Sequence, residues 1–175
     1  MGRLLFKALA RLKAFGEDIS GTDEGRVMDF ETVGAGDFGR SLTGIGLNLL
    51  VRDVQAEVAF LTDVFGMSAH QVTKDFAIMR YGAQVFQLHA DGTYHSHPLP
   101  SLMPEAGPRG GGIALYLFET DPDEASDKAE AAGGHILQAA ENKPHGLREA
   151  VILDENGYAW TPSRHLTPEE EAALG

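Results

Sequence analysis

The apolar positions of "GIGLNLLVRDVQAEVAFLTDVFGM" change period within a single segment. Up to Val51 they form a short continuous run that suits a strand. Beyond Asp53, residues Val54, Val58, Leu61 and Phe65 fall on one helical face, and Gly66 ends the pattern. Asp53 is a natural N-cap and Gly66 a natural stop, because the first offers a side-chain acceptor to free N–H groups and the second tolerates a left-handed backbone. The same signals return in "GGGIALYLFETDPDEASDKAEAAGGH". There Asp121 is the N-cap, Pro122 the first helical residue, Glu124 the partner in a capping box, and Gly133 and Gly134 the stop. The caps lie 68 residues apart and the stops 67, which is the mark of an internal repeat.

Each helix is followed by alternating apolar residues, over 67–89 and 135–161, broken at "YGA" and "ENG". Both runs read as three strands, the last two of the second run joined by a tight Asn156-Gly157 turn. The chain is therefore expected to be α+β, with two βαβββ modules over about 44–90 and 111–164. One helix covers one face of each sheet, so the two sheets should combine around a shared open cleft, joined by the Pro- and Gly-rich stretch 91–111. Residues 165–175 are read as a tail.

Ahead of the repeat, "MGRLLFKALARLKAF" sets Leu5, Leu9 and Leu12, with Leu4 and Ala8, at helical spacing among Arg3, Lys7, Arg11 and Lys13. This predicts an amphipathic helix over about 3–15, too short and too interrupted to span a membrane. It would dock on the acidic body or on a second subunit, with attachment to a membrane surface as the alternative. Residues 16–44 read as a linker with room for a short strand at "RVMDFETV". "GAGDFG" and "PRGGG" read as turns, since neither has the strand-to-helix setting or the lysine of a phosphate loop.

Composition narrows the chemistry. With 43% hydrophobic residues in 175, the chain can bury a core. A net charge of −12 excludes a broad footprint for nucleic acid and points to a small molecule or another protein as partner. No cysteine is present, which removes disulfides, thiolate metal sites and a cysteine nucleophile. With neither a signal-peptide core nor a spanning segment, the expected location is cytoplasmic.

Two such modules, with "LLVRDVQAEVAFLTDVFGM" opening the first and "LREAVILDENGYAW" closing the second, resemble the vicinal oxygen chelate superfamily of glyoxalase I, bleomycin-resistance proteins and extradiol dioxygenases. The likeness covers about residues 44–164, and "LDENGYAW" resembles that family's Asp-Pro-Asp-Gly turn with Glu155 where proline often sits. It implies a homodimer and, in metal enzymes, one ligand on the first and last strand of each module. Those positions fall on Gly46, Gln87, Ala114 (or Gly112) and Thr161. None is a histidine or an acid, so no metal is expected there, and no other cofactor is expected.

Alternation sends Gly46, Asn48 and Leu50 to the cleft and Leu47, Leu49 and Val51 to the helix; on the fourth strand Val85, Gln87 and His89 share the cleft side. Tyr116 and Phe118 join them from the second module with Arg148, or with Glu149 if the register shifts by one. The expected ligand-binding set is thus Asn48, Gln87, His89, Tyr116, Phe118, Arg148 and Thr161, a polar patch between aromatic walls suited to a small organic molecule. "HADGTYHSHPLP" adds a competing reading as a lyase, isomerase or ring-cleaving dioxygenase, with His89 as catalytic base or a divalent metal relocated to His89, His95 and His97. His70, His135, His145 and His165 are read as surface or edge residues. A third reading makes the protein an adaptor acting through its basic N-terminal helix.

Overall fold

The computed structural model describes residues 28–104 and 107–174. The helix expected over 3–15 lies outside the described residues. The repeat is present as two βαβββ modules. The first holds β1 (Asn48–Val51), α2 (Val54–Phe65), β2 (Ser68–His70), β3 (Phe76–Tyr81) and β4 (Gln84–Ala90), preceded by a short helix α1 (Ala35–Ser41). The second holds β5 (Ala114–Phe118), α3 (Pro122–Ala131), β6 (His135–Asn142), β7 (Leu147–Leu153) and β8 (Ala159–His165). The two sheets have equivalent orders, β1-β4-β3-β2 and β5-β8-β7-β6, with the first and last strands of each module parallel.

Both helix starts form as their sequences dictate. Asp53 accepts from the N–H groups of Gln55 and Ala56, and Gly66 stops α2 at φ +67°. Asp121 accepts from Asp123 and Glu124. The capping box expected at Glu124 is replaced by an ion pair, Glu124 to Lys128 at 2.7 Å, one helical turn on. Thr167 and Glu170 do form a capping box, at the start of α4 (Pro168–Ala172) in what reads as a tail, and Glu170 is held by Arg164.

Two linker readings change, and the turn read at "PRGGG" is present, with Ile113 donating to the Gly110 carbonyl at 2.9 Å. "GAGDFG" lies within α1 and its N-cap rather than in a turn, because burial of Phe38 outweighs the poor helix propensity of Gly36 and Gly39. "RVMDFETV" forms no strand over its described residues; Thr32 and Val33 instead donate to the Asp29 carbonyl in a turn. "PRGGG" packs directly on the β7–β8 turn, where Arg109 and Gly110 donate to the carbonyls of Asn156 and Gly157. Arg109 also grips both Asp91 carboxylate oxygens and the Leu50 carbonyl.

The helix-covered faces of both sheets share one core. Leu49, Val51, Met79 and Leu88 join Leu61 and Val64 of α2, and the same cluster continues into Leu117, Ile152, Ala125 and Ala129 of the second module. Trp160 stands between them, its ring centroid 5.8 Å from that of Phe65 and 6.1 Å from that of Phe86. This leaves the opposite face of each sheet for a site.

Candidate functional site

The face of the first sheet away from α2 is assembled by register. Gln87 lies between Asn48 and Ile78, and His89 between Leu50 and Phe76, on neighbouring strands. Residues 30–42 cross over this face. Gln71, at the end of β2 and at φ +49°, donates its side-chain amide to the carbonyls of both Phe30 and Val33 at 2.9 Å. His70 Nδ1 meets Glu31 at 2.7 Å, so this histidine, on the edge strand β2, is also a contact of the crossing segment. Between segment and sheet lies a cavity of about 400 Å³, walled by Val33, Phe38 and Leu42 on one side and by Gln71, Phe76, Ile78, Gln87 and His89 on the other.

His89 is held on three sides. The Phe76 and Tyr94 rings lie 4.9 and 5.2 Å from its own, and Thr93 Oγ1 is 3.3 Å from Nδ1. Because the Thr93 hydroxyl donates to the Ala90 carbonyl, Nδ1–H is the donor to Thr93 and Nε2 keeps its lone pair. Burial lowers the His89 pKa, since desolvation disfavours the imidazolium, so the ring is neutral at physiological pH. Asn48 donates to the Tyr94 hydroxyl, while its Oδ1 is buried without a partner among the described residues. The site thus offers the amides of Gln71 and Gln87 and a neutral imidazole on an otherwise apolar floor. A second cavity of about 330 Å³, beside α2, is bordered by Arg52, Asp53, Asp63 and Glu155 and holds no imidazole.

The remaining expected site residues lie elsewhere. Tyr116 and Phe118 stack with centroids 5.8 Å apart on the open face of the second sheet, and Thr161 is buried beside Tyr116 on β8. None of the three borders the cavity on Gln87 and His89. Arg148 was expected on the cleft face. It is paired instead with Asp123 of α3 at 2.6 Å and with Asn142, on the helix-covered side, because the register is one residue from the expected one. Glu149 takes the open face, buried opposite Ser163 and bonded to His145 at 3.0 Å.

The first-strand positions also shift by two. Gln87 is paired with Asn48 and Thr161 with Tyr116, while Gly46 precedes β1 altogether. The four side chains at the register-paired positions are therefore two amides, a phenol and a hydroxyl, with no carboxylate or imidazole. That donor set does not fit a divalent ion. Nor do His89, His95 and His97 converge: Tyr94 packs against both His89 and His97, and among the described residues no three His, Asp or Glu side chains form a metal-binding group.

Sequence reasoning missed Phe38, Gln71 and Phe76 as walls of the cavity. Phe38 carried a faint signal as a lone aromatic in a glycine-rich stretch; Gln71 carried none.

Two four-stranded sheets built on repeated βαβββ modules define a fold of the vicinal oxygen chelate type. Residues 45–161 match the Glyoxalase/Bleomycin resistance protein/Dioxygenase superfamily, and the chain belongs to it. Similar solved structures include a glyoxalase/bleomycin resistance protein/dioxygenase family enzyme from Burkholderia phytofirmans PsJN (21% identity, TM-score 0.60, covering 69% of this chain and 97% of that one). A glyoxalase-related enzyme from Fulvimarina pelagi is 18% identical, with TM-score 0.57, over 70% of this chain and 88% of its own. TioX from Micromonospora sp. ML1 is 24% identical, with TM-score 0.52, over 71% and 99%. At these identities the likeness establishes the fold alone. No curated protein matches the sequence. Among the described residues, no helix is long and apolar enough to cross a membrane.

Proposed function

We propose that the protein binds a small, flat, uncharged organic molecule in the cavity between the first sheet and α1, and does so without a metal or other cofactor. The observation that carries this reading is the cavity itself: apolar walls, with only Gln71, Gln87 and a neutral His89 to fix orientation. A charged ligand would lose its hydration there with no opposite charge to replace it. Tyr116 and Phe118 then serve as a second surface, completed by another copy of the chain, with Thr161 buried beside Tyr116.

Titration with 2-naphthol, an uncharged bicyclic phenol read by its own fluorescence, tests the reading. A neutral hydrogen bond contributes about 0.5 to 1.5 kcal/mol, and stranding a ligand's polar group costs about 1 to 3 kcal/mol. His89→Ala is therefore expected to weaken binding about ten- to a hundredfold, while His95→Ala and His97→Ala leave it unchanged. Stoichiometric metal in the purified protein, lost in all three variants, would overturn it. A second reading rests on the lone pair left on His89 Nε2, which suits a general base in a lyase or isomerase. It requires a substrate whose turnover, rather than binding, collapses in His89→Ala.

A further inference from the structure

The cavity's roof comes from a segment that lies ahead of the superfamily match. The superfamily match begins at residue 45, yet Val33, Ala35, Phe38, Gly39 and Leu42 all border the space above Gln87 and His89. Behind them lies a wider depression of about 640 Å³, bordered by Met28, Phe30, Ile45 and Val85. Phe38 and Leu42 border both spaces, so they form the partition between them. Phe38 is buried, is fixed edge-on against Phe30 at 6.4 Å, and takes no part in the shared core of the two modules.

We propose that residues 33–42 are the size-selecting wall of the ligand site and that the Phe38 ring sets the largest ligand admitted. This rests on the reading of the cavity as the ligand site. The segment is positioned by side-chain contacts outside itself. The cap residue Gly34 provides no side-chain hydrogen bond, and two of the helix's seven residues are glycine, so α1 has little stability of its own. The amide of Gln71, reaching the Phe30 and Val33 carbonyls, sets how closely the wall approaches the sheet. Removing the Phe38 ring opens the smaller space into the larger, whereas enlarging it narrows the smaller space. Neither change touches Gln87 or His89, so the alteration falls on ligand size and not on the polar contacts.

The experiment compares 2-naphthol with the four-ring phenol 1-hydroxypyrene on the full chain, in the wild type, Phe38→Ala, Phe38→Trp and, as a control at an exposed position of β6 on the second sheet, Leu137→Ala. Circular dichroism and thermal unfolding confirm that each variant is folded. The ratio of the two dissociation constants is expected to move at least tenfold toward the larger probe in Phe38→Ala, to move the other way in Phe38→Trp, and to stay put in Leu137→Ala. A ratio unchanged in both folded Phe38 variants, with 2-naphthol still bound, overturns the size-selecting wall and leaves the ligand site standing. Binding of neither probe by any of the four proteins overturns the ligand site and the wall together.

Discussion

Glu57 shows how one side chain can escape a hydrophobic pattern and still be buried. It is only 3% exposed in the first turns of α2, where Asn156 donates to one carboxylate oxygen at 2.8 Å and the other has no partner among the described residues. Desolvation first, and then the neighbouring Asp154, push its pKa up to about 9, so the folded protein keeps Glu57 protonated at neutral pH. An acid whose pKa is raised on folding contributes its full stability below the unfolded value, near 4.5, and loses it as pH climbs toward 9. The wild type is therefore expected to lose stability from pH 6 to pH 9, with this group contributing up to about 1.4 kcal/mol per pH unit. Glu57→Gln keeps the shape and cannot ionise, so its urea midpoint should be flatter over the same range; equal slopes in the two proteins would refute the assignment. The sequence announces Asp53 because a cap acts on its own next residues. It does not announce Glu57, whose neighbours Asn156 and Asp154 arrive from about a hundred positions away, or Gln71, whose partners Phe30 and Val33 lie 41 and 38 positions back.

Among the elements, α2, α3 and the sequence of strands along the chain were legible because caps, stops and apolar period are local, whereas α1 and α4 were not. Nor were registers. A parallel pair such as β1 and β4 has no turn to fix its offset, so the expected ligand positions came out two residues from the observed pairing; on the antiparallel β7, Arg148 came out one residue from its actual face. Turns make a sharper test of element chemistry. Gly82, between β3 and β4, sits at φ +55° with open space where a Cβ would go; Gly157, between β7 and β8, sits at φ +80° with a Cβ position 2.3 Å from Pro108 Cα. Gly82→Ala should cost about 1 kcal/mol from backbone strain alone, whereas Gly157→Ala must also move the 108–110 bridge and should cost several times more, measured by denaturant unfolding. Equal losses would mean that the bridge yields freely.

On the scale of the whole molecule, the open face of the second sheet exposes half of Tyr116 and more than half of Phe118, stacked side by side. Such a surface on a small chain suits a second copy. Each copy carries a net charge of −12, so added salt should tighten the pair by screening the repulsion, and Tyr116→Ser with Phe118→Ser should leave a monomer in sedimentation equilibrium. A wild-type monomer at every salt and protein concentration would remove this role from the aromatic face. The parallel closure of each module also has a consequence in time. Tyr81 and Gln84 are opposed three residues apart and can zip as the chain collapses, but Asn48 waits for Gln87 and Ala114 for Ala159, each some forty residues downstream. The strand made first in each module is thus the last to find its place. For β1 even that is incomplete, because the Leu50 carbonyl takes its bonds from Arg109 and from the Tyr158 hydroxyl, so the first half of the molecule is finished only when nearly all of the chain exists.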